Sequence, residues 1–203
     1  MSPAATAVTI GDQPTSIEDI VAIARGAAAE LSDEAVARIE ASRAVVDELV
    51  DGEALIYGLN TGLGHMRDQR MPAETLGLYQ EAIVSGHDGA FGDPLPTEVV
   101  RAAMAVRLAG LALGGSGASL PVARQLVDML TRGVHPIVPA IGSVGASDLM
   151  HMAAIAQVAI GRGRAEVAGA IVDGSEALTR AGLAPPSRLT RRWPRSARGR
   201  PLA

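Results

Sequence analysis

The chain has 203 residues, with 22 acidic and 18 basic side chains, four histidines and no cysteine. The missing cysteines exclude a disulfide scaffold and any thiolate metal site, and they fit a reducing compartment. An apolar fraction of 48% against 20% charged excludes a disordered polymer and allows one domain with a real core.

The elements read in chain order as mostly helical. Nothing in the first twenty residues has the basic-then-apolar order of a secretory leader. Ser16 and Asp19 have capping-box spacing before an Ile20, Val21, Ile23 stripe. Ser32, with Asp33 and Glu34 behind it, opens a second helix. Val36, Ile39, Val46, Leu49 and Val50 recur along that helix at helical spacing, and Gly52 ends it. Residues 56–72, IYGLNTGLGHMRDQRMP, form a loop because three glycines, an asparagine and a closing proline interrupt any period. A helix is expected from about 73 to 86. Thr97 starts the longest apolar helix, with Val100, Met104, Leu108, Leu111 and Leu113, and glycines at 114, 115 and 117 stop it.

Ser119 and Pro121 open the next helix, which carries Val122, Leu126, Met129 and Leu130. From His135 to Gly145 two prolines and two glycines follow the first residue, and the segment reads as irregular. Ser147 and Asp148 then cap a helix running to about Gly161. Residues 165–173 suit a short hairpin, and 175–181 one more helical turn. No run of about 18 uninterrupted apolar residues occurs, so no membrane span is expected and the protein reads as soluble and cytoplasmic.

Every basic residue is Arg, which removes the amine that a Walker-type phosphate loop or a Schiff base needs. Six of these arginines fall in residues 187–203, and no acid follows Glu176. The body is left with 12 Arg against 22 acids, a net of −10, beside a tail of +6. A boundary is therefore placed between residues 1–184 and an Arg/Pro-rich segment, 185–203. Three readings of the tail stay open: a basic arm, a disordered end, or codons translated out of frame. An acidic body opposes a polyanion, so no nucleic-acid partner is expected.

Two glycine-rich loops concentrate the chemistry. Tyr57 opens the first, where a tyrosine is either a general base or a packing residue at the loop root. In the second, Gly142 to Leu149, Ser147 lacks nucleophile-elbow spacing and is equally a plain helix cap. The histidines 65, 87, 135 and 151 match no metal-ligand spacing, so no metal is expected. His87, just past a helix end, is either a charge partner for that terminus or a site residue.

Six segments together resemble the histidine/aromatic amino-acid ammonia-lyases. They are TSIEDIVAIAR, LSDEAVARIEASRAVVDELV, IYGLNTGLG, YQEAIVSGHDGAFGDPLP, VRAAMAVRLAGLALGGSG and HPIVPAIGSVGASDL, in the family's order across about residues 8–184. The resemblance implies a mainly α fold, the N-terminal portion of a helical-bundle lyase with Gly-rich loops and a short hairpin. It implies elimination of ammonia from an L-amino acid to leave an α,β-unsaturated acid. The electrophile would be a methylidene-imidazolone that the chain makes from an internal Ala-Ser-Gly, and the assembly a homotetramer. Tyr57 matches the catalytic tyrosine on a mobile loop. Ala146 and Ser147 match the first two residues of the triplet. His87, with Asn60 and Gly64, falls on the substrate side, and a His there leans the substrate toward histidine.

The chain departs from the pattern in several places. Asp148 stands where the triplet has Gly, and no Ala-Ser-Gly occurs anywhere. Ring closure needs the third residue's amide nitrogen to attack the first carbonyl, which glycine permits because it has no Cβ. Impaired or absent cofactor formation is therefore expected. Ala82 and Gly86 replace the family's Asn and Ser. The family's long helical bundle would follow GLAP (182–185), where the Arg-rich tail begins instead. The expectation is a truncated lyase, inactive by itself and exposing apolar helix faces. The alternative is a catalytically dead lyase-like protein that binds an intact relative.

Overall fold

The computed structural model describes residues 7–50, 52–72, 75–143, 145 and 149–186. Among them are seven α-helices and seven short strands, so the chain is mainly α as expected. Strand β1 (Val8–Ile10) leads into α1 (Ile17–Ala24) and then β2 (Ala29–Leu31). The two strands pair in parallel, Val8 opposite Ala29, with α1 as the crossover. The capping box forms both ways: the Asp19 N–H donates to Ser16 Oγ at 3.1 Å, and the Ser16 N–H to Asp19 Oδ2 at 2.9 Å. That backbone N–H, with the Ser16 hydroxyl, holds the exposed Asp19 carboxyl below its ordinary range.

Helix α2 (Asp33–Val50) starts where Ser32 Oγ accepts the Ala35 N–H at 3.0 Å. It buries Ala35 and Ile39 but leaves Leu49 exposed. Residues 56–72 are a loop holding one 3-10 turn, Gly64–Met66. Helix α3 (Leu76–Gly86) leads to β3 (Phe91–Pro94) and then to α4 (Thr97–Ala112). Gly117, beyond α4, has φ +66, and a Cβ there would lie 2.3 Å from Val46 Cγ2. The glycine that follows the helix therefore also lets α2 pass close beside it.

Helix α5 (Leu120–Thr131) follows, with Pro121 in its first turn. The stretch expected to be irregular contains two strands, β4 (His135–Pro136) and β5 (Pro139–Ile141). Two- and three-residue strands carry no visible alternation, and Pro lacks the N–H that a ladder normally uses. Their partners are remote: β5 pairs with β3, Phe91 opposite Ile141. Helix α6 (Leu149–Ala159) then precedes the expected hairpin, β6 (Arg164–Val167) and β7 (Ala170–Asp173). Ala168 and Gly169 both have positive φ, as a two-residue type I′ turn requires. β4 joins the other edge of β6, with His135 opposite Glu166, and α7 (Gly174–Arg180) closes the described fold. No helix of the described residues is long and apolar enough to cross a membrane.

Helix α4 runs through the core, burying Val100, Met104, Leu108 and Leu111 among Ile10, Ile23, Ile39, Met129, Leu130 and Leu178. One charge is buried with them. Arg101 is 4% exposed, and among the described residues no carboxylate lies within salt-bridge range of it. Three carbonyls take its protons instead: Ile23 O on Nε at 2.8 Å, Leu130 O on Nη1 at 2.8 Å and Ala27 O on Nη2 at 3.1 Å. Ile23 and Leu130 sit in the last turns of α1 and α5, where free carbonyls concentrate negative charge. Burial lowers the pKa of Arg101, yet a guanidinium stays charged.

Removing this guanidinium takes the donor from the carbonyls of Leu130 and Ala27 and one of two donors from Ile23 O, which keeps the Gly26 N–H at 3.1 Å. We expect Arg101→Met to cost about 3 kcal/mol or more in urea unfolding, although its stem still packs. Arg101→Lys should be little better, because an ammonium lacks the planar fork.

His135 gives a pH dependence. Burial, then the positive Arg101, hold its pKa below the ordinary 6.5, with Glu166 opposing. The folded state keeps the ring neutral while the unfolded chain protonates near 6.5, so protons favour unfolding. Stability present above pH 6.5 should be lost as the pH falls through the folded-state value. Urea midpoints at pH 7.5 and 5.5 should differ less in His135→Gln than in the parent.

Candidate active site

The loop carrying Tyr57 is shaped by two buried polar side chains. Asn60 is 1% exposed. Its Oδ1 accepts the Ile56 N–H at 2.8 Å and its Nδ2 donates to Ala54 O at 2.9 Å. Thr61, equally buried, accepts the Gly58 N–H at 3.3 Å and donates to Gly62 O at 3.0 Å. Arg70, bridged to Thr61 across the loop, sends Nη2 to the carbonyls of Gly52 and Glu53, both at 2.7 Å. The root of the loop is thus tied by side chains that add to two backbone bonds across it, Met71 N–H to Asn60 O at 2.8 Å and Gly62 N–H to Gln69 O at 3.1 Å. Asn60, expected on the substrate side, directs its amide into this closure.

Tyr57 itself is 63% exposed. Its hydroxyl accepts the Gly64 N–H at 3.4 Å, so two of the expected site residues meet. The neighbouring Leu63 N–H donates to the hydroxyl of Tyr79, on α3, at 2.9 Å.

His87 caps the other end of α3. Its Nδ1 lies 2.7 Å from Ile83 O. A carbonyl only accepts, so Nδ1 carries the hydrogen and Nε2 is left for another partner. The ring is half-buried. The β3–β5 pairing then carries the chain after His87 against the second glycine-rich loop. A Cβ on Gly142 would lie 2.8 Å from Ala90 Cβ and 3.2 Å from Met150 Cβ, so glycine is what lets these segments touch. Arg162, beyond α6, binds Ser85 Oγ at 2.9 Å and Glu81 Oε2 at 3.0 Å and fixes α6 to the end of α3.

Ala146, Ser147 and Asp148 lie outside the described residues. Their described flanks, Gly142 and Met150, pack within three residues of His87 along the chain. Helix α3 is therefore the common support. It holds the Tyr57 loop through Tyr79 and carries His87 eight residues later, roughly 12 Å along the axis. Phe91, Ile141, Leu78 and Leu149, on the same elements, are exposed. Tyr79, Arg70 and Arg162 were not singled out from the sequence. Only Tyr79 left a signal there, as one of two tyrosines in the chain.

A family model described as aromatic amino acid lyase matches residues 15–191. The chain belongs to the aromatic amino acid lyase family. It is 41% identical over 172 residues to a histidine ammonia-lyase of Gloeobacter violaceus, covering 84% of this chain and 34% of that one. The crystal structure of histidine ammonia-lyase from Trypanosoma cruzi matches with a TM-score of 0.80 at 30% identity, over 89% of this chain and 35% of that one. Ergothionase from Treponema denticola, an ergothioneine-degrading enzyme, matches with a TM-score of 0.86 at 27% identity, over 90% of this chain and 37% of that one. The chain spans about a third of the length of the curated relatives it matches.

The family is known for a methylidene-imidazolone formed from the chain itself. The residues present here do not fit that group. No Ala-Ser-Gly occurs in the chain, and in the order Ala146-Ser147-Asp148 the ring-closing nitrogen would have to come from a residue with a Cβ, which restricts the compressed backbone that glycine permits.

The loop closure predicts its own failure mode. Asn60→Ala should lower stability by about 1 kcal/mol, because it unpairs the half-buried Ile56 N–H and leaves Ala54 O with only the longer bond from Arg70. Trypsin cleavage after Arg67 should then quicken by roughly tenfold.

Proposed function

We propose that this chain carries the Tyr57 and His87 parts of an ammonia-lyase site. The amino acid is L-histidine in preference to phenylalanine or tyrosine, and the product is an α,β-unsaturated acid. In this reading Tyr57 is the proton acceptor. Its exposed phenol is reachable by a bound molecule, and the Gly64 N–H lies against the oxygen that would take up negative charge. Gly64 and Asn60 shape that side of the site, and the working assembly is a homotetramer of soluble chains.

The observation that carries the histidine preference is the hydrogen bond from His87 Nδ1 to Ile83 O. In the neutral ring this leaves Nε2 as an acceptor, which an imidazole N–H of the substrate can meet and a phenyl ring cannot. The names of the relatives at 37–41% identity agree with that choice.

With Asp148 in the triplet position, no elimination step is assigned to the 203-residue chain. It binds the amino acid without turning it over. A second reading follows from the same substitution and from the exposed Phe91 and Ile141: a catalytically dead member that associates with an intact relative.

Calorimetry on the 203-residue chain tests the binding. L-Histidine should bind more tightly than L-phenylalanine, and His87→Phe should weaken histidine alone by about tenfold. Equal affinity for the two amino acids would count against the reading. Intact mass tests the chemistry. The parent should show no loss of two waters at 146–148 and should release no unsaturated acid. Clear release would overturn the statement that the chain is inert, and the dead-member reading with it.

A further inference from the structure

The 3-10 turn at Gly64–Met66 starts on a residue that cannot cap it. Leu63, at the N-cap, has no side-chain acceptor for the free N–H groups of the first turn. Two phenol oxygens stand in. Tyr79 takes the Leu63 N–H at 2.9 Å, and Tyr57 takes the next N–H, that of Gly64, at 3.4 Å. These are the two tyrosines of the chain. They differ in what carries them: Tyr57 belongs to the loop being shaped, whereas Tyr79 stands on α3, outside it. The shorter bond is the external one.

We infer that Tyr79 is a positioning residue for Tyr57. By holding the Leu63 N–H it sets the orientation of the following peptide and aims the Gly64 N–H at the Tyr57 oxygen. The function assigned to Tyr57 rests on the lyase reading; the positioning itself does not. Gly64 has φ +59, which glycine adopts as readily as negative values, so its hydrogen-bonded neighbours rather than its own sterics set this peptide. Asn60, Thr61 and Arg70 tie the loop root, and among the described residues the Leu63–Tyr79 bond ties its far side to α3. Without that bond the loop keeps its root and loses the setting of Gly64.

Amide hydrogen exchange on the 203-residue chain tests this without turnover. Tyr79→Phe removes only the acceptor. Exchange should quicken by about fivefold or more at Leu63 and also at Gly64, whose own partner is untouched. Tyr57→Phe should quicken Gly64 alone. A merely local role for Tyr79 would move Leu63 and leave Gly64 unchanged, and that result overturns the inference, as does no change at either amide. Amides of Met104 and Leu108 report whether the core is intact. If Tyr79→Phe loosens them too, Tyr79→His, which keeps a ring acceptor, must protect Gly64 better than Tyr79→Phe does, or the inference fails. Failure of histidine binding would leave these exchange rates as they are, so the two readings fall separately.

Discussion

The fold depends on one buried cation that meets no carboxylate among the described residues. Arg101 rises from the middle of the core helix and is paid in carbonyls, from the last turn of α1, the residue Ala27 just past it, and the last turn of α5. Helix C-termini are where unsatisfied carbonyls accumulate, and a guanidinium placed between two of them supplies Leu130 O and Ala27 O and adds a second bond to Ile23 O, which also takes the Gly26 N–H. A single side chain thereby fixes three segments against α4. The planar fork suits this task, since each nitrogen meets a different oxygen.

The site hangs on that frame through α3. Both glycine-rich segments are linked to α3 by side chains: Tyr79 holds the Tyr57 loop, and Ser85 and Glu81 hold Arg162 behind α6. The strand pair β3–β5 adds the approach of Gly142 to Ala90. Loops positioned this way carry functional groups at little cost to the core, because their own hydrogen bonds close locally. The exposed phenol of Tyr57 and the half-buried ring of His87 are thus both placed by atoms they do not share.

Much of the helical frame was legible. Ser16–Asp19 and Ser32 announced helix starts because a side-chain oxygen three residues from an N–H is a local relation. The hairpin showed itself through a two-residue turn, again local. The strands 8–10, 29–31, 135–136 and 139–141 were not legible as pairs, because each is too short for alternation and its partner lies far along the chain. The same divide runs through the site. Tyr57 and His87 stood out by residue type and motif, but that the Asn60 amide closes the loop was not legible, and Tyr79 passed unnoticed because its contact is with a backbone N–H.

Sequence alone carried the resemblance to the family, the helix starts set by caps, and the lack of any Ala-Ser-Gly, since all of these are written in neighbouring residues. Tertiary structure decided that the charge of Arg101 is buried among carbonyls, that α3 is the common mount of both loops, and that two tyrosine hydroxyls cap one short turn. Apart from the Tyr57–Gly64 bond, those arrangements join residues 16 to 81 positions apart, and no local propensity encodes a distance of that kind.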